Sequence, residues 1–163
     1  MQSAPTILAN KLNFLLPNSY RRQGPLSEKT IASNMNENEL AAFATRKSVY
    51  SRVVNYLFHP ASESGWAKGQ WFIRALGYDP NNPDHVKMLV SQITFNAEVA
   101  VFDKKSKWGN RYKQSFAIIG PNGRTIPGVR TTWQKDFDTS IIRLLTVVPP
   151  KRKRLVCLSN IRK

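Results

Sequence analysis

Residues 109–134, GNRYKQSFAIIGPNGRTIPGVRTTWQ, decide the fold. Their side chains alternate, placing Tyr112, Phe116 and Ile118 on one face of a strand and Arg111, Lys113 and Ser115 on the other. Beyond Pro121-Asn122-Gly123, Val129, Thr131 and Trp133 share a face, opposite Arg130, Thr132 and Gln134. Both apolar sets reach one core only when Tyr112 pairs with Trp133, Lys113 with Thr132 and Ser115 with Arg130. A two-residue Asn122-Gly123 turn gives that register, yet Pro121 lacks the N–H that such a hairpin uses. A type I turn with Gly123 as a G1 bulge accommodates Pro121 and shifts the register by one. A second bulge at Pro127-Gly128 then shifts it back. Either route leaves a polar, basic sheet face holding Arg111, Lys113, Ser115, Arg130 and Thr132.

Working outward, alternation predicts strands over 97–102, 109–119, 128–134 and 141–148, with a charged turn over 103–108 and another over 136–139. Upstream the period is helical. Val49, Val53, Tyr56 and Leu57 predict a helix capped by Ser48 and stopped by Pro60. Phe72, Ile73 and Leu76 mark a second over 66–76, with Gly77 at its left-handed C-terminal position. Asn82 caps a third, Pro83 opens it, and Val86, Leu89, Val90, Ile93 and Ala97 carry its apolar stripe. Residues 39–46 are expected to form a brief helix, 12–16 a short strand or docking segment, and 20–38 a polar loop. The expected fold is α+β: three helices followed by a four-stranded antiparallel β-meander, then a basic C-terminal tail. The chain divides into a segment 1–46, a domain 47–149 and an extension 150–163, in which 155–158 can pair as an added edge strand.

The chain of 163 residues suits one domain, and 41% hydrophobic residues argue against disorder throughout. No apolar run approaches the ~20 residues of a membrane span, and 12–16 is too short for a secretory core, so no signal peptide is expected. Cys157 is alone, which excludes an internal disulfide and a cysteine zinc cluster and suits a reducing, cytoplasmic compartment.

The net charge is +15, and it is segregated. Residues 1–103 hold 10 basic and 8 acidic side chains, whereas 104–163 hold 15 basic and 2 acidic. Such a field attracts polyanions, and RNA or another nucleic acid is the expected partner. Arg111, Lys113, Arg124, Lys104, Lys105 and Lys107 are the expected contacts of the domain, with Lys151, Arg152, Lys153 and Arg154 in the tail. Trp108, in a Lys-rich turn, is the expected base-stacking platform, while Trp133 and Tyr112 read as core aromatics.

The chemistry is bounded by what the sequence lacks. His59 and His85 are its two histidines, the first reading as a capping residue and the second as an exposed one. There is no Gly-rich phosphate loop, His-Glu-x-x-His, nucleophile elbow or paired-carboxylate pattern. Carboxylates are scarce where the positive charge is, which argues against a two-magnesium nuclease; no metal and no cofactor is expected.

Three stretches carry a family resemblance: Leu16-Pro17-Asn18; Asn55-Tyr56-Leu57 with Gly65, Lys68 and Leu76-Gly77-Tyr78; and Gly109, Tyr112, Pro121-Asn122-Gly123-Arg124, Arg130-Thr131-Thr132-Trp133 and Arg143-Leu144-Leu145-Thr146. Residues 47–149 resemble an uncharacterised bacterial domain found alone and as a C-terminal module of haemagglutinin-like polymorphic toxins. The family's usual His before Gly-x-x-Lys is Ser62 here, and its Tyr near the end of the last strand is Val148. The helices-then-meander order is similar to that of small metal-independent ribonucleases. Arg130, Arg143 and Lys68 match the family pattern and suit stabilisation of a pentacoordinate phosphate, with Thr132 and Thr146 positioning its oxygens. Arg143 also suits a pairing with Asp136 or Asp138. Two functions stay open: an RNA-binding, metal-independent ribonuclease toxin module, and a non-catalytic nucleic-acid-binding accessory protein of phage or mobile-element origin. An acidic immunity or antitoxin protein fits either.

Overall fold

A computed structural model describes residues 13–16, 34–139 and 141–151. Among the described residues, three helices precede four strands: α1 (Glu37–Arg52), α2 (Glu63–Leu76), α3 (Pro83–Gln92), β1 (Val101–Lys105), β2 (Gly109–Ile119), β3 (Thr125–Asp136) and β4 (Ile142–Val148). The strands form one antiparallel sheet in the order β1-β2-β3-β4. The α+β expectation of helices followed by a meander is therefore met. The tail from 152 onward, including the 155–158 strand, lies outside the described residues.

The helical half departs from expectation in two places. Residues 39–46 and the segment from Ser48 are one helix, α1, not two. Its N-terminus is Asn36, whose side chain accepts from the Glu39 N–H while Glu39 reaches back to the Asn36 N–H, a capping box. Ser48 lies inside this helix, where its hydroxyl donates to the Thr45 carbonyl at 2.6 Å. After Arg52 the chain widens into a π turn, Val53–Leu57, closed by the Phe58 N–H on the Val53 carbonyl at 2.9 Å. The wider turn buries Val53 and Leu57 and leaves Asn55 exposed, with Tyr56 half-buried against the edge of the core. Further on, α3 ends at Gln92, short of Ala97. Ile93 still enters the core, but the Asn96 N–H is taken by Gln114 Oε1 at 2.9 Å and Gln114 Nε2 donates to the Thr94 carbonyl at 2.8 Å. A buried strand side chain thus satisfies the backbone that the helix leaves.

The hairpin follows the two-bulge route. The Gly123 N–H donates to the Gly120 carbonyl at 3.0 Å around Pro121, and Gly123 and Gly128 both have φ of 84°. Register shifts between Phe116 and Ile118, so that Tyr112 pairs with Trp133, Lys113 with Thr132 and Ser115 with Arg130 as expected. Strand β3 starts at Thr125, earlier than position 128, and β1 runs over 101–105 instead of 97–102. Residues 13–15 form a 3-10 turn, not a strand, and Leu15 and Leu16 dock into the core.

That core lies between the helices and one sheet face: Val49, Val53, Leu57, Phe72, Leu76 and Leu89 meet Ile118, Val129, Trp133, Leu144 and Val147. Tyr78 locks α3 to β2, donating to the Ile119 carbonyl at 2.6 Å while accepting from Gln92 at 2.9 Å. The opposite face of the sheet is the polar one.

Candidate functional site

The polar face is ordered in rows by the pairing of its strands. Arg111 stands opposite Gln134, which stands opposite Arg143; one row along, Lys113 faces Thr132 and Thr132 faces Thr146; then Ser115 faces Arg130. A bulge at Leu145 in β4 separates the first two rows.

Helix α1 turns one end of this face into a cleft. It runs beside the outer edge of β4, and the edge backbone is met by helix side chains: the Leu144 N–H donates to Ser48 Oγ at 3.1 Å, and Arg52 Nε donates to the Leu144 carbonyl at 3.4 Å. Ser48, Ser51, Arg52, Asn55 and Tyr56 make the helical wall of a cleft of ≈ 640 Å³ whose sheet side is Arg111, Gln134 and Arg143, with Leu144 and Leu145. Trp108 closes the end. Its turn is built on Ser106, whose hydroxyl donates to the Gly109 carbonyl at 2.9 Å and accepts the Trp108 N–H at 3.2 Å. The indole is 62% exposed with Lys107 Nζ 4.7 Å from its centroid.

Three arginines converge on this space, and none of the described residues lining it carries a carboxylate or an imidazole. Arg143 is paired at the rim with Asp136 at 2.5 Å, which also accepts from Gln134 at 2.8 Å. Arg111 Nε is buried with no hydrogen-bond partner among the described residues. The guanidinium groups of Arg52, Arg111 and Arg143 give the cleft a positive potential suited to an anionic oxygen.

Beyond the helical wall lies a second cluster. Helix α2 approaches the π turn so closely that a Cβ on Gly69 would fall 1.7 Å from the Leu57 carbonyl oxygen and one on Gly65 2.2 Å from that of Tyr56. This contact brings Lys68, between the two glycines, onto Tyr56: its Nζ donates to the phenolic oxygen at 2.9 Å and to Thr146 Oγ1 at 3.3 Å. Ser64 Oγ lies 2.9 Å from the same phenolic oxygen. Burial pushes the Tyr56 phenol up, but its hydrogen bonds with Lys68 and Ser64 and the Lys68 charge outweigh it, and its pKa is lowered on balance.

The sequence matches the family described as Domain of unknown function (DUF6883) over residues 35–151. The chain belongs to this family. No curated protein sequence matches it. A solved structure described as a contact-dependent growth inhibition toxin - immunity protein complex from Klebsiella pneumoniae 342 aligns with a TM-score of 0.43 at 18% identity, covering 52% of this chain and 72% of that one.

The DUF6883 domain gathers some of the residues singled out in the sequence and scatters others. Arg111, Arg143 and Trp108 line the cleft, and Lys68 and Thr146 join at its Tyr56 wall. Thr132 is the cross-strand neighbour of Thr146. Arg130 is exposed two rows from the cleft, and Lys113 is held by Asp103 at 2.9 Å. Lys104 and Lys105 are exposed on β1, with Lys105 Nζ 5.3 Å from the Phe137 ring. Arg124 donates instead to the Ala75 carbonyl at 3.2 Å, helping to satisfy the C-terminal end of α2. Lys151 is exposed, and Arg152, Lys153 and Arg154 lie outside the described residues. His85 is not a free surface group: its Nδ1 accepts the Asp79 N–H at 2.9 Å and its ring meets Tyr78 edge-on. His59 Nδ1 accepts the Ala61 N–H at 3.2 Å, a turn-forming role in keeping with the capping expectation. Trp133 is fully buried, while Tyr112 is half-buried between Phe95 and Phe102.

Sequence reasoning passed over Arg52 and Tyr56. Tyr56 reads as part of the apolar stripe of the helix expected from Ser48 and of the Asn55-Tyr56-Leu57 stretch, neither of which assigns it a role in the site, and the π turn after Arg52 leaves no local signature. Among the described residues no group of three His, Cys, Asp or Glu side chains is placed to hold a metal ion, and no helix is long and apolar enough to cross a membrane.

Proposed function

We propose that this DUF6883 domain binds RNA in the arginine-lined cleft and cleaves it by metal-independent transesterification, acting in a cytoplasm as a toxin module that an acidic immunity protein neutralises. The observation that carries the reading is the convergence of Arg52, Arg111 and Arg143 on a cleft whose lining residues include no carboxylate, Asp136 pairing with Arg143 at the rim. Phosphodiester cleavage by the substrate's own 2′-hydroxyl requires fixed positive charge at the phosphate and a nearby proton acceptor, and no bound cation. Arg111 and Arg143 are held by the strand pairing at the two ends of one row, with Gln134 between them. Trp108 at the end of the cleft offers an exposed indole on which an unpaired base can stack. The +13 net charge of residues 104–163 draws the polyanion in from a distance.

The test is a titration with single-stranded RNA across a salt series, together with expression in a bacterial host. Several phosphate contacts require affinity to fall steeply between about 50 and 200 mM salt, and cleavage requires growth arrest. Binding that is absent at low salt, or indifferent to salt, removes the reading. Binding without cleavage or growth arrest leaves the accessory-protein alternative.

A further inference from the structure

We infer that Tyr56 is the catalytic proton acceptor of this cleft, taking the proton of an RNA 2′-hydroxyl while Lys68 positions its phenolic oxygen. The inference rests on the RNA-cleaving reading above and names the group that reading leaves open.

The cleft itself narrows the choice. Its lining residues are serine, arginine, asparagine, glutamine, tryptophan, leucine and one tyrosine. Arginine stays protonated, and neutral amides and serine hydroxyls are poor bases without a partner to take their proton. Tyr56 alone among these described side chains has an acidic proton whose loss creates a base.

Its surroundings are built for that loss. The phenolic oxygen receives a hydrogen bond from Lys68 Nζ at 2.9 Å and lies 2.9 Å from Ser64 Oγ. Its ring is flanked by Lys68 Nζ at 5.2 Å and the Arg52 guanidinium at 5.7 Å from the centroid. The groups that face it from α1, α2 and β4 are Arg52, Ser64, Lys68 and Thr146, with Arg111 and Arg143 across the cleft, and none is acidic. A phenolate can accept from lysine and serine together, and in the neutral form the phenol O–H can donate to Ser64 Oγ while Lys68 still donates to the phenolic oxygen. The lowered pKa of Tyr56 follows the same geometry. The close packing of α2 on the π turn at Gly65 and Gly69 holds the pair together.

In the step, the O–H bond of the 2′-hydroxyl breaks and its proton passes to the Tyr56 oxygen. The 2′-oxygen forms a bond to phosphorus, and the bond from phosphorus to the 5′-oxygen breaks with its electron pair. The departing 5′-oxygen takes a proton from water, and Tyr56 returns its own proton to solvent. The products are a 2′,3′-cyclic phosphate and a 5′-hydroxyl. Lys68, anchored by Thr146, is a positioning residue that keeps the phenolic oxygen ionisable.

The experiment compares the full chain with Tyr56→Phe and Lys68→Met in cleavage of total tRNA and rRNA, with binding measured to the same RNA. Tyr56→Phe is expected to lose about 10²-fold or more in rate, the ordinary range for a proton-transfer group, with affinity unchanged. An ultraviolet difference titration, wild type minus Tyr56→Phe, is expected to show one tyrosine ionising below the usual value. Lys68→Met should move the pH–rate profile to higher pH, a readout that needs no Tyr56→Phe protein and so survives should that variant fail to fold. Wild-type cleavage matched by Tyr56→Phe, or a Tyr56 titration at or above the usual value, overturns this inference and leaves the RNA-cleaving reading standing. A wild-type protein that binds RNA and never cleaves it overturns both.

Discussion

Ser48 Oγ accepts the backbone N–H of Leu144 at 3.1 Å, joining the middle of α1 to the outer edge of β4 across 96 positions of sequence. The same hydroxyl donates to the Thr45 carbonyl at 2.6 Å, so one serine satisfies its own helix and closes a strand edge. This contact fixes the angle between the two walls of the cleft. Ser48→Ala leaves the Leu144 N–H unmet in a partly buried setting, and the expected cost is about 2 kcal/mol. Urea denaturation of the two proteins measures it; a midpoint shift with an unchanged m-value is the expected form.

The glycine contact between α2 and the π turn gives a larger effect. Gly69→Ala places a methyl group 1.7 Å from the Leu57 carbonyl oxygen, a distance that backbone must move to relieve. The expected destabilisation is about 3 kcal/mol, with a lower melting temperature by calorimetry. Gly123→Ala, in open space yet at a φ of 84°, should cost less, about 1 kcal/mol from backbone strain alone.

These contacts explain what was readable from the sequence and what was not. The hairpin register was readable because each constraint on it is local: Pro121 forbids one turn, Gly123 and Gly128 supply the two left-handed residues, and alternation fixes the faces. The basic face followed from the same alternation. The union of 39–46 with the helix after Ser48 was not readable, because Ser48 is a good capping residue whose oxygen is claimed by a strand far along the chain. The end of α3 was hidden likewise: Ile93 continues the apolar stripe, and only the distant Gln114 turns the backbone aside. In the site, Lys68 and Thr146 were singled out separately, and Tyr56, which joins them, was hidden by its apolar neighbours.

Trp108 tests how the cleft holds a base. Its indole is exposed and its turn is anchored through Ser106, so Trp108→Ala should leave the melting temperature nearly unchanged. Affinity for single-stranded RNA should fall by about 1–3 kcal/mol per stacked base. Fluorescence anisotropy with single- and double-stranded RNA of equal length checks this, the duplex being expected to respond less.

Arg130 and Arg143 should separate. Arg130 is exposed and two rows from the cleft, so Arg130→Ala should lower the slope of log affinity against log salt by about 1 without abolishing cleavage. Arg143 lines the cleft and pairs with Asp136, whose side chain is 14% exposed. Arg143→Ala should reduce the cleavage rate by about 10²–10³-fold, with a loss of stability of about 1 kcal/mol as Asp136 keeps only Gln134. Parallel rate and melting measurements on the two variants distinguish these roles.

The central claim is tested most directly by incubating the purified protein with total tRNA and rRNA in excess EDTA and mapping the ends of the products. The account predicts cleavage that persists in the chelator and leaves 2′,3′-cyclic phosphate and 5′-hydroxyl ends. RNA left intact, or cut only when magnesium or manganese is added, would contradict it and move attention from Arg111, Arg143 and Tyr56 to Asp103, Asp136 and Asp138.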